Sequence, residues 1–335
     1  MRVLFIGGTG NLSYDSTLRA LALGHEVYHL NRGRRADKRI DGVRTLTADV
    51  GDEPAMRAVL GKLDFDAVVD FIAFVPPQVE RDIRLFRDRT GQFVFISTAS
   101  AYRKPPVHQV ITESTPVVNP YWRYSRDKIA CERLLETAWR ETGFPATVVR
   151  PSHTYSRGWI PTTWTSSDFT VAARMLAGKD VVVHGDGQSL WTLTHTRDFA
   201  VGLVGLLGNP AAVGEVFQIT GDEALTWDSI HRILAGALGV EAKIVHIPSD
   251  FIAAVDPELG QHFLGDKTYS ALFDCSKLKR LVPEFRSTIS FQQGVRESVE
   301  WFRADPSRQI VDAQIDAVIE KVLAAWRRGM AAALL

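Results

Sequence analysis

Val3-Leu4-Phe5-Ile6-Gly7-Gly8-Thr9-Gly10-Asn11-Leu12-Ser13 is the stretch on which the fold turns. Residues 3–6 read as a short buried strand, and the segment after Gly10 as a helix ending near Gly24. Glycines between a strand and a helix permit a tight turn. They also let backbone N–H groups at the helix N-terminus approach a pyrophosphate. An ordinary turn could use the same glycines, but their place after the first strand of a βαβ unit favours a dinucleotide. Gly7, Gly8, Gly10, Asn11 and Leu12 are therefore candidate cofactor contacts. Ser13 stands where a third, packing glycine is usual, and it is a small substitute.

Outward from that loop, residues 27–30 and 45–48 read as strands and 53–63 as a helix. The apolar run 67–74 suits a parallel strand buried on both faces. A helix over 78–88, a strand at 93–96, a helix over 124–142 and a strand at 146–149 follow. This alternation predicts an α/β fold, a Rossmann-type doubly wound parallel sheet. The texture changes after Pro151: 152–187 is rich in Thr, Ser, Trp and Gly, as in loops that shape a pocket, and 310–326 is an amphipathic helix. The expected division is a dinucleotide-binding domain over 1–151, with a return segment at about 192–215. A smaller interleaved α/β substrate domain would comprise 152–191 and 216–335.

The 335 residues include 39 basic and 39 acidic side chains, so the formal net charge is zero. That balance argues against nucleic acid or an anionic membrane as a bulk electrostatic partner. A content of 45% hydrophobic and 23% charged residues is ordinary for a globular chain. No stretch approaches the run of about 18 apolar residues a membrane helix needs, and the opening apolar run is too short for a signal peptide. A cytoplasmic location is the default expectation. Cys131 and Cys275 form no C-x-x-C pair, so neither a disulfide framework nor a thiolate zinc site is expected. His25-Glu26-Val27-Tyr28-His29 spells the H-E-x-x-H zinc pattern, which works only on a helix. After Gly24 the segment reads as a strand, where residues four apart lie about 13 Å apart. No metal is expected.

The acidic residue that would hold the adenosine ribose, about 20 residues past the glycine loop, is absent. Asn31-Arg32-Gly33-Arg34-Arg35 stands there instead. Guanidinium groups favour the 2′-phosphate of NADP, whereas Asn31 alone could bond the hydroxyl of NAD, and both cofactors stay open.

Tyr124-Ser125-Arg126-Asp127-Lys128 opens a helix, so Tyr124 and Lys128 share a face. A nearby ammonium lowers a phenol's pKa and readies Tyr124 to take a proton from an alcohol. Thr98, at the end of a strand, can position the substrate oxygen. Y-x-x-x-K alone is common surface decoration; joined to the glycine loop and the Ser97-Thr98 strand end it becomes specific.

With these motifs in place, residues 1–305 resemble the extended short-chain dehydrogenases/reductases, of the NAD-dependent epimerase/dehydratase type. The resemblance implies Thr98, Tyr124 and Lys128 as the catalytic set. It places Asp49 and Val50 at the adenine, Phe71, Ile72 and Ala73 near the cofactor, and Pro151 at the nicotinamide end. Asn31 and Arg32 would meet the ribose. Gly185-Asp186-Gly187, His195-Thr196-Arg197-Asp198, Gly265-Asp266 and Asp274-Cys275-Ser276-Lys277 match landmarks of the second half. A homodimer through helices flanking the Tyr-Lys helix is implied as well.

The departures concern the substrate. Trp191 and Phe263 stand where nucleotide-sugar members carry diphosphate-gripping arginines, and His153 stands for a family asparagine. Two lost cations forfeit charge-assisted bonds of roughly 1.5–3 kcal/mol each. The expected substrate is thus a nucleoside or another glycoside, stacked on Trp191 or Phe263. The alternative is that both are core residues and Arg157 or Lys267 grips phosphate. Ala99 and Ser100 replace the Asp-Glu pair of the sugar 4,6-dehydratases. Ser100, His153 and Tyr155 are substrate-side candidates, the latter two as acid or base or as structural residues. The expected function is transient oxidation of a sugar carbon followed by epimerisation or water elimination, with a tightly held, recycled dinucleotide. A simple dehydrogenase/reductase and a nucleotide-sugar 4-epimerase are the alternatives. The sequence is also similar to plastid RNA-binding relatives in Asn31-Arg32-Gly33 and Gly265-Asp266-Lys267. Zero net charge and the intact Thr98/Tyr124/Lys128 set argue against that reading.

Overall fold

Val3 and Phe5 point to one side of the first strand and Leu4 and Ile6 to the other, and all four are fully buried. A strand apolar on both faces belongs in the middle of a sheet with helices on each side. The computed structural model describes residues 1–35 and 38–333; Leu334 and Leu335, the end of the expected second domain, lie outside the described residues.

The chain forms β1 (Arg2–Ile6), α1 (Asn11–Ala22), β2 (Glu26–Asn31), β3 (Arg44–Thr47), α2 (Glu53–Leu60), β4 (Ala67–Asp70), α3 (Pro76–Phe86) and β5 (Phe93–Ile96). Then come β6 (Val110–Ile111), α4 (Arg123–Thr142), β7 (Ala146–Pro151), β8 (His153–Tyr155), α5 (Thr170–Leu176), β9 (Asp180–His184), β10 (Leu190–His195) and α6 (Thr196–Leu206). The remainder is β11 (Val216–Ile219), β12 (Ala224–Thr226), α7 (Trp227–Leu238), β13 (Lys243–Ile247), α8 (Ser249–Val255) and α9 (Pro257–His262). It closes with β14 (Leu272–Phe273), α10 (Ser276–Leu281), α11 (Phe291–Arg303) and α12 (Ala313–Ala333).

Seven strands, in the order β3-β2-β1-β4-β5-β7-β11, form one parallel sheet. The doubly wound sheet read from the sequence is therefore present, and its strand order reverses between β1 and β4. The crevice outside the strand ends at such a reversal is where ligands bind in this architecture. On the Val3/Phe5 side, α1 and α6 pack with Phe199 and Leu203 in one core. The other side packs on α2, α3 and α4 through Met56, Ile83, Cys131 and Leu135.

Two sequence expectations are corrected. Strand β11 falls within the segment assigned to the substrate domain, yet it pairs with β7 from Val216↔Val148 to Ile219↔Pro151. Phe217 and Ile219 are buried in the same core as Val149 and Phe199. The apolar run 67–74 is not one strand. It turns at Asp70, whose Oδ1 accepts the N–H groups of Ile72 (2.6 Å) and Ala73 (2.8 Å). The H-E-x-x-H residues do lie at and in β2, and the His29 ring bonds Thr17 of α1 at 2.8 Å.

The second body has a three-stranded sheet, β12-β10-β8, and two strand pairs, β13-β9 and β14-β6. The 152–187 stretch expected as loops thus carries β8, α5 and β9. Trp164, Trp191, Trp227 and Phe263 are buried in its core, with Ile319, Val322 and Leu323 of α12.

Arg150 of β7 is held by Glu132 of α4 through Nε (3.0 Å) and Nη2 (2.5 Å), both side chains nearly free of solvent. Removing one partner of such a pair leaves a dry, unpaired charge. Glu132→Ala should cost about 3–5 kcal/mol in urea unfolding; a loss of about 1 kcal/mol or less is what a solvated pair would give.

Candidate active site

Gly7 adopts φ +80°, and a Cβ there would lie 2.6 Å from Ile72 Cγ2. A Cβ on Gly8 would lie 2.3 Å from His29 Cδ2. Only glycine fits at either position. Ser13, the substitute for the third glycine, closes the loop itself: its hydroxyl donates to Gly7 O and accepts from Gly10 N–H, both at 2.8 Å. The first-turn N–H groups of α1, which start at Asn11, lack intrahelical partners. A cradle of this shape fits a pyrophosphate.

At the other end of the crevice, Asn31 closes β2 and accepts the Gly33 N–H on Oδ1 at 2.8 Å. Its carbonyl accepts the Ala48 N–H at 3.0 Å, which brings Asp49 and Val50 alongside. Arg32, Arg34 and Arg35 are exposed there. Phe71 packs edge-on against Phe5, Ile72 lies on Gly7, and Ala73 leads toward α4.

A cavity of about 330 Å³ is lined by, among others, Thr98, Ser100, Tyr124, Pro151, His153 and Trp191. Thr98, two residues past the end of β5, caps a short turn, its Oγ1 accepting the Ser100 N–H at 3.2 Å. The Ser100 hydroxyl bonds Thr98 Oγ1 (3.0 Å) and Ser125 Oγ (2.7 Å), which fixes the threonine against α4. Asn119, which the sequence reading passed over, is the clamp behind them. Its amide donates to Ser100 O (2.8 Å) and Gly265 O (2.6 Å) and its carbonyl accepts the Trp122 N–H (3.0 Å).

Lys128 is buried, and its ammonium donates to the carbonyls of Ala73 and Ile96, each at 2.7 Å. Burial pushes it down to about 8, with the Asp70 charge opposing. Tyr124 is not the low-pKa phenol expected. Burial pushes it up to about 12, contact with Thr98 works the other way, and the Asp266 charge adds to the rise. The Lys128 ammonium is 6.0 Å from the Tyr124 ring centre, and desolvation is the largest cause of the rise.

His153 receives the Trp191 indole N–H on Nδ1 at 3.1 Å and lies 2.6 Å from Ser166 Oγ through Nε2. Because Nδ1 must accept, this network assigns the proton to Nε2. Burial, and then the Lys267 charge, push His153 down to about 3, so it is neutral with both nitrogens engaged. Two expected substrate residues lie elsewhere. Tyr155 is fully buried against His195 and Phe291, and Phe263 is fully buried against Trp164 and His184. Their aromatic surfaces fill the core of the second body rather than the cavity.

Three wall residues had no distinguishing sequence signal, Trp122, Trp159 and Phe273, and Asp266 was noted only as part of the Gly265-Asp266 landmark. Trp122 sits 4.9 Å from the Tyr124 ring. The Asp266 carboxylate is 3.5 Å from Lys104, and Lys267 donates to Thr163 O at 2.8 Å.

Residues 3–220 match the family model described as the NAD dependent epimerase/dehydratase family. The 2′-dehydrokanamycin reductase of Streptomyces kanamyceticus is 26% identical over 286 residues, 85% of this chain and 80% of its own. The chloroplast stem-loop binding protein of 41 kDa b of Arabidopsis thaliana is 26% identical over 265 residues, 75% of this chain and 67% of its own. A dTDP-glucose 4,6-dehydratase of Bacillus anthracis, solved in complex with NAD, superposes with a TM-score of 0.72 at 18% identity, covering 92% of this chain and 98% of its own. That likeness is one of fold. Crevice, catalytic-type cavity and the span of the family match agree: the chain belongs to the NAD dependent epimerase/dehydratase family.

Proposed function

We propose that the protein is an NAD(P)-dependent oxidoreductase acting at an alcohol or ketone carbon of a sugar ring, in a glycoside rather than a nucleotide-diphosphate sugar. The observation that carries this reading is the cavity. It joins Thr98 and Tyr124 to walls of Trp122, Trp159 and Trp191, with Lys267 as a single cation and no arginine among the described residues lining it. Aromatic faces pack against the C–H faces of a sugar ring, while a diphosphate asks for cations. Trp191 occupies the position the family resemblance gives to a phosphate-gripping arginine. The relative named 2′-dehydrokanamycin reductase supports a reaction at a carbonyl.

When bound, the dinucleotide supplies or accepts the hydride. The rest falls to the chain. A phenol held at about 12 is protonated at neutral pH and can hand its proton to the developing alkoxide as a ketone is reduced. Thr98 holds the same oxygen from the other side. Lys128 gives two of its three ammonium protons to backbone carbonyls, leaving one for a ribose hydroxyl. The exposed Arg32 beside Asn31 accommodates a 2′-phosphate, so NADP is admitted along with NAD.

The sequence reading set epimerisation or elimination first. Those need a second acid or base beside the substrate, and the geometry removes Tyr155 from the cavity and engages both nitrogens of His153. Asp266 is the observation that supports the family's epimerase or dehydratase chemistry as the second reading, because its carboxyl lines the same cavity. The stem-loop binding relative supports a nucleic-acid reading less well, since binding RNA has no use for a phenol and hydroxyl lining a small cavity.

Tyr124→Phe tests the assignment. Turnover should fall by about 10²–10⁴-fold, with dinucleotide affinity unchanged; a near-normal rate would remove Tyr124 from the chemistry. His153 should show the neutral Nε2–H pattern in ¹⁵N NMR down to about pH 5, because its folded-state value is about 3. A midpoint near 6.5 would contradict the engaged tautomer.

A further inference from the structure

Beneath the dinucleotide crevice lies a buried ionic cluster that the redox chemistry does not use. Asp70 ends β4, and Arg81 and Asp82 lie on α3; their exposures are 0%, 7% and 0%. Arg81 directs Nε (2.8 Å) and Nη2 (2.6 Å) to Asp82 Oδ1, and Nη1 to the carbonyl of Val50. Its Nη2 is also 3.6 Å from Asp70 Oδ2. One guanidinium thus faces two carboxyl groups.

Each carboxyl has its other business on Oδ1. Asp70 Oδ1 holds the Ile72 and Ala73 N–H groups, and Asp82 Oδ1 holds Arg81. The two remaining oxygens, Asp70 Oδ2 and Asp82 Oδ2, are buried without a hydrogen-bond donor. The two side chains are within hydrogen-bonding reach of each other. Two dry carboxylates on one cation repel and leave both oxygens unsatisfied. A proton between them satisfies both atoms and leaves one negative charge for one guanidinium.

We infer that Asp70 and Asp82 share a single proton, and that this acid–carboxylate pair, with Arg81, positions Val50 and residues 71–73 against the dinucleotide. The positioning half rests on the dinucleotide reading proposed above; the shared proton does not. Asp82 is the acid: burial, and then the Asp70 charge, hold its carboxyl well above the usual range, with Arg81 opposing. The charged and titratable groups around the pair are Asp70 of β4, Arg81 and Arg84 of α3, and, across Asp70, Lys128 and Cys131 of α4. The cluster reaches both ends of the crevice. Arg81 holds Val50 at the adenine side, and Asp70 holds Ala73, whose carbonyl takes the Lys128 ammonium. These are positioning residues.

The sign of the pH effect follows from a folded-state value above the ordinary one. The folded protein keeps a proton that the unfolded chain releases near 3.8. Stability therefore falls as pH rises from there through the raised value. Asp82→Asn replaces the acid with an amide that donates to Asp70 Oδ2 permanently and cannot ionise.

The test is urea unfolding of wild type, Asp82→Asn and Asp82→Ala across pH, together with NAD+ and NADP+ titrations followed by intrinsic tryptophan fluorescence. Wild type should lose stability with rising pH by about one proton more than Asp82→Asn. Asp82→Ala should weaken dinucleotide binding about tenfold, and Asp82→Asn should restore it. Equal pH slopes in wild type and Asp82→Asn overturn the shared proton, a comparison that stands even if Asp82→Ala fails to fold. Binding as weak in Asp82→Asn as in Asp82→Ala overturns the positioning role. If wild type binds neither dinucleotide, the functional reading falls with the positioning role, while the slopes still decide the proton.

Discussion

The Lys128 ammonium, buried between the carbonyls of Ala73 and Ile96, is the constraint from which the site follows. Ala73 belongs to the turn after β4, Ile96 ends β5, and Lys128 lies one helical turn into α4. One cation therefore pins two strand ends and a helix start at the edge of the sheet where the order reverses. Thr98 follows Ile96 by two residues and Tyr124 precedes Lys128 by four, so both are carried to the same cavity.

That arrangement suits a tyrosine that gives a proton more than one that must lose it. Trp122, Trp159 and Trp191 stand in the same wall as Thr98, Tyr124, Asp266 and Lys267. Trp191 ties the cavity wall to the core of the second body, since its indole N–H fixes His153 and its ring lies 5.1 Å from Trp227 in the core behind. Affinity for a sugar would come from stacked faces, with Lys267 the one lysine or arginine among the described residues of the wall.

The sheet and the glycine loop were legible because their signals are local: apolar runs of strand length, glycines at a turn, and Tyr and Lys on one helix face. What escaped depended on contacts distant in sequence. Asp70 is the last residue of β4, still paired with Ile6 and Phe95, and its carboxylate turns the chain out of the run by taking the Ile72 and Ala73 N–H groups. Phe217 and Ile219 join the large sheet although the strand that follows them, β12, belongs to the second body. Tyr155 and Phe263 have the residue types of a sugar site, yet nothing local reveals that they face the core. Asn119 carries no motif at all, and only the meeting of Ser100, Gly265 and α4 gives it a role. The phenol's pKa was misjudged for the same reason, since sequence shows a lysine nearby but neither the burial of the phenol nor the Asp266 charge that raise it.

The most direct test of net redox chemistry is to denature the purified protein and measure the released dinucleotide by mass spectrometry. A parallel sample is first incubated with NADH or NADPH. The account predicts well under one dinucleotide per chain as purified, and ready loading of the added reduced form. A near-stoichiometric oxidised dinucleotide that does not exchange would contradict it, and would return the protein to internal recycling with Asp266 as the second acid or base.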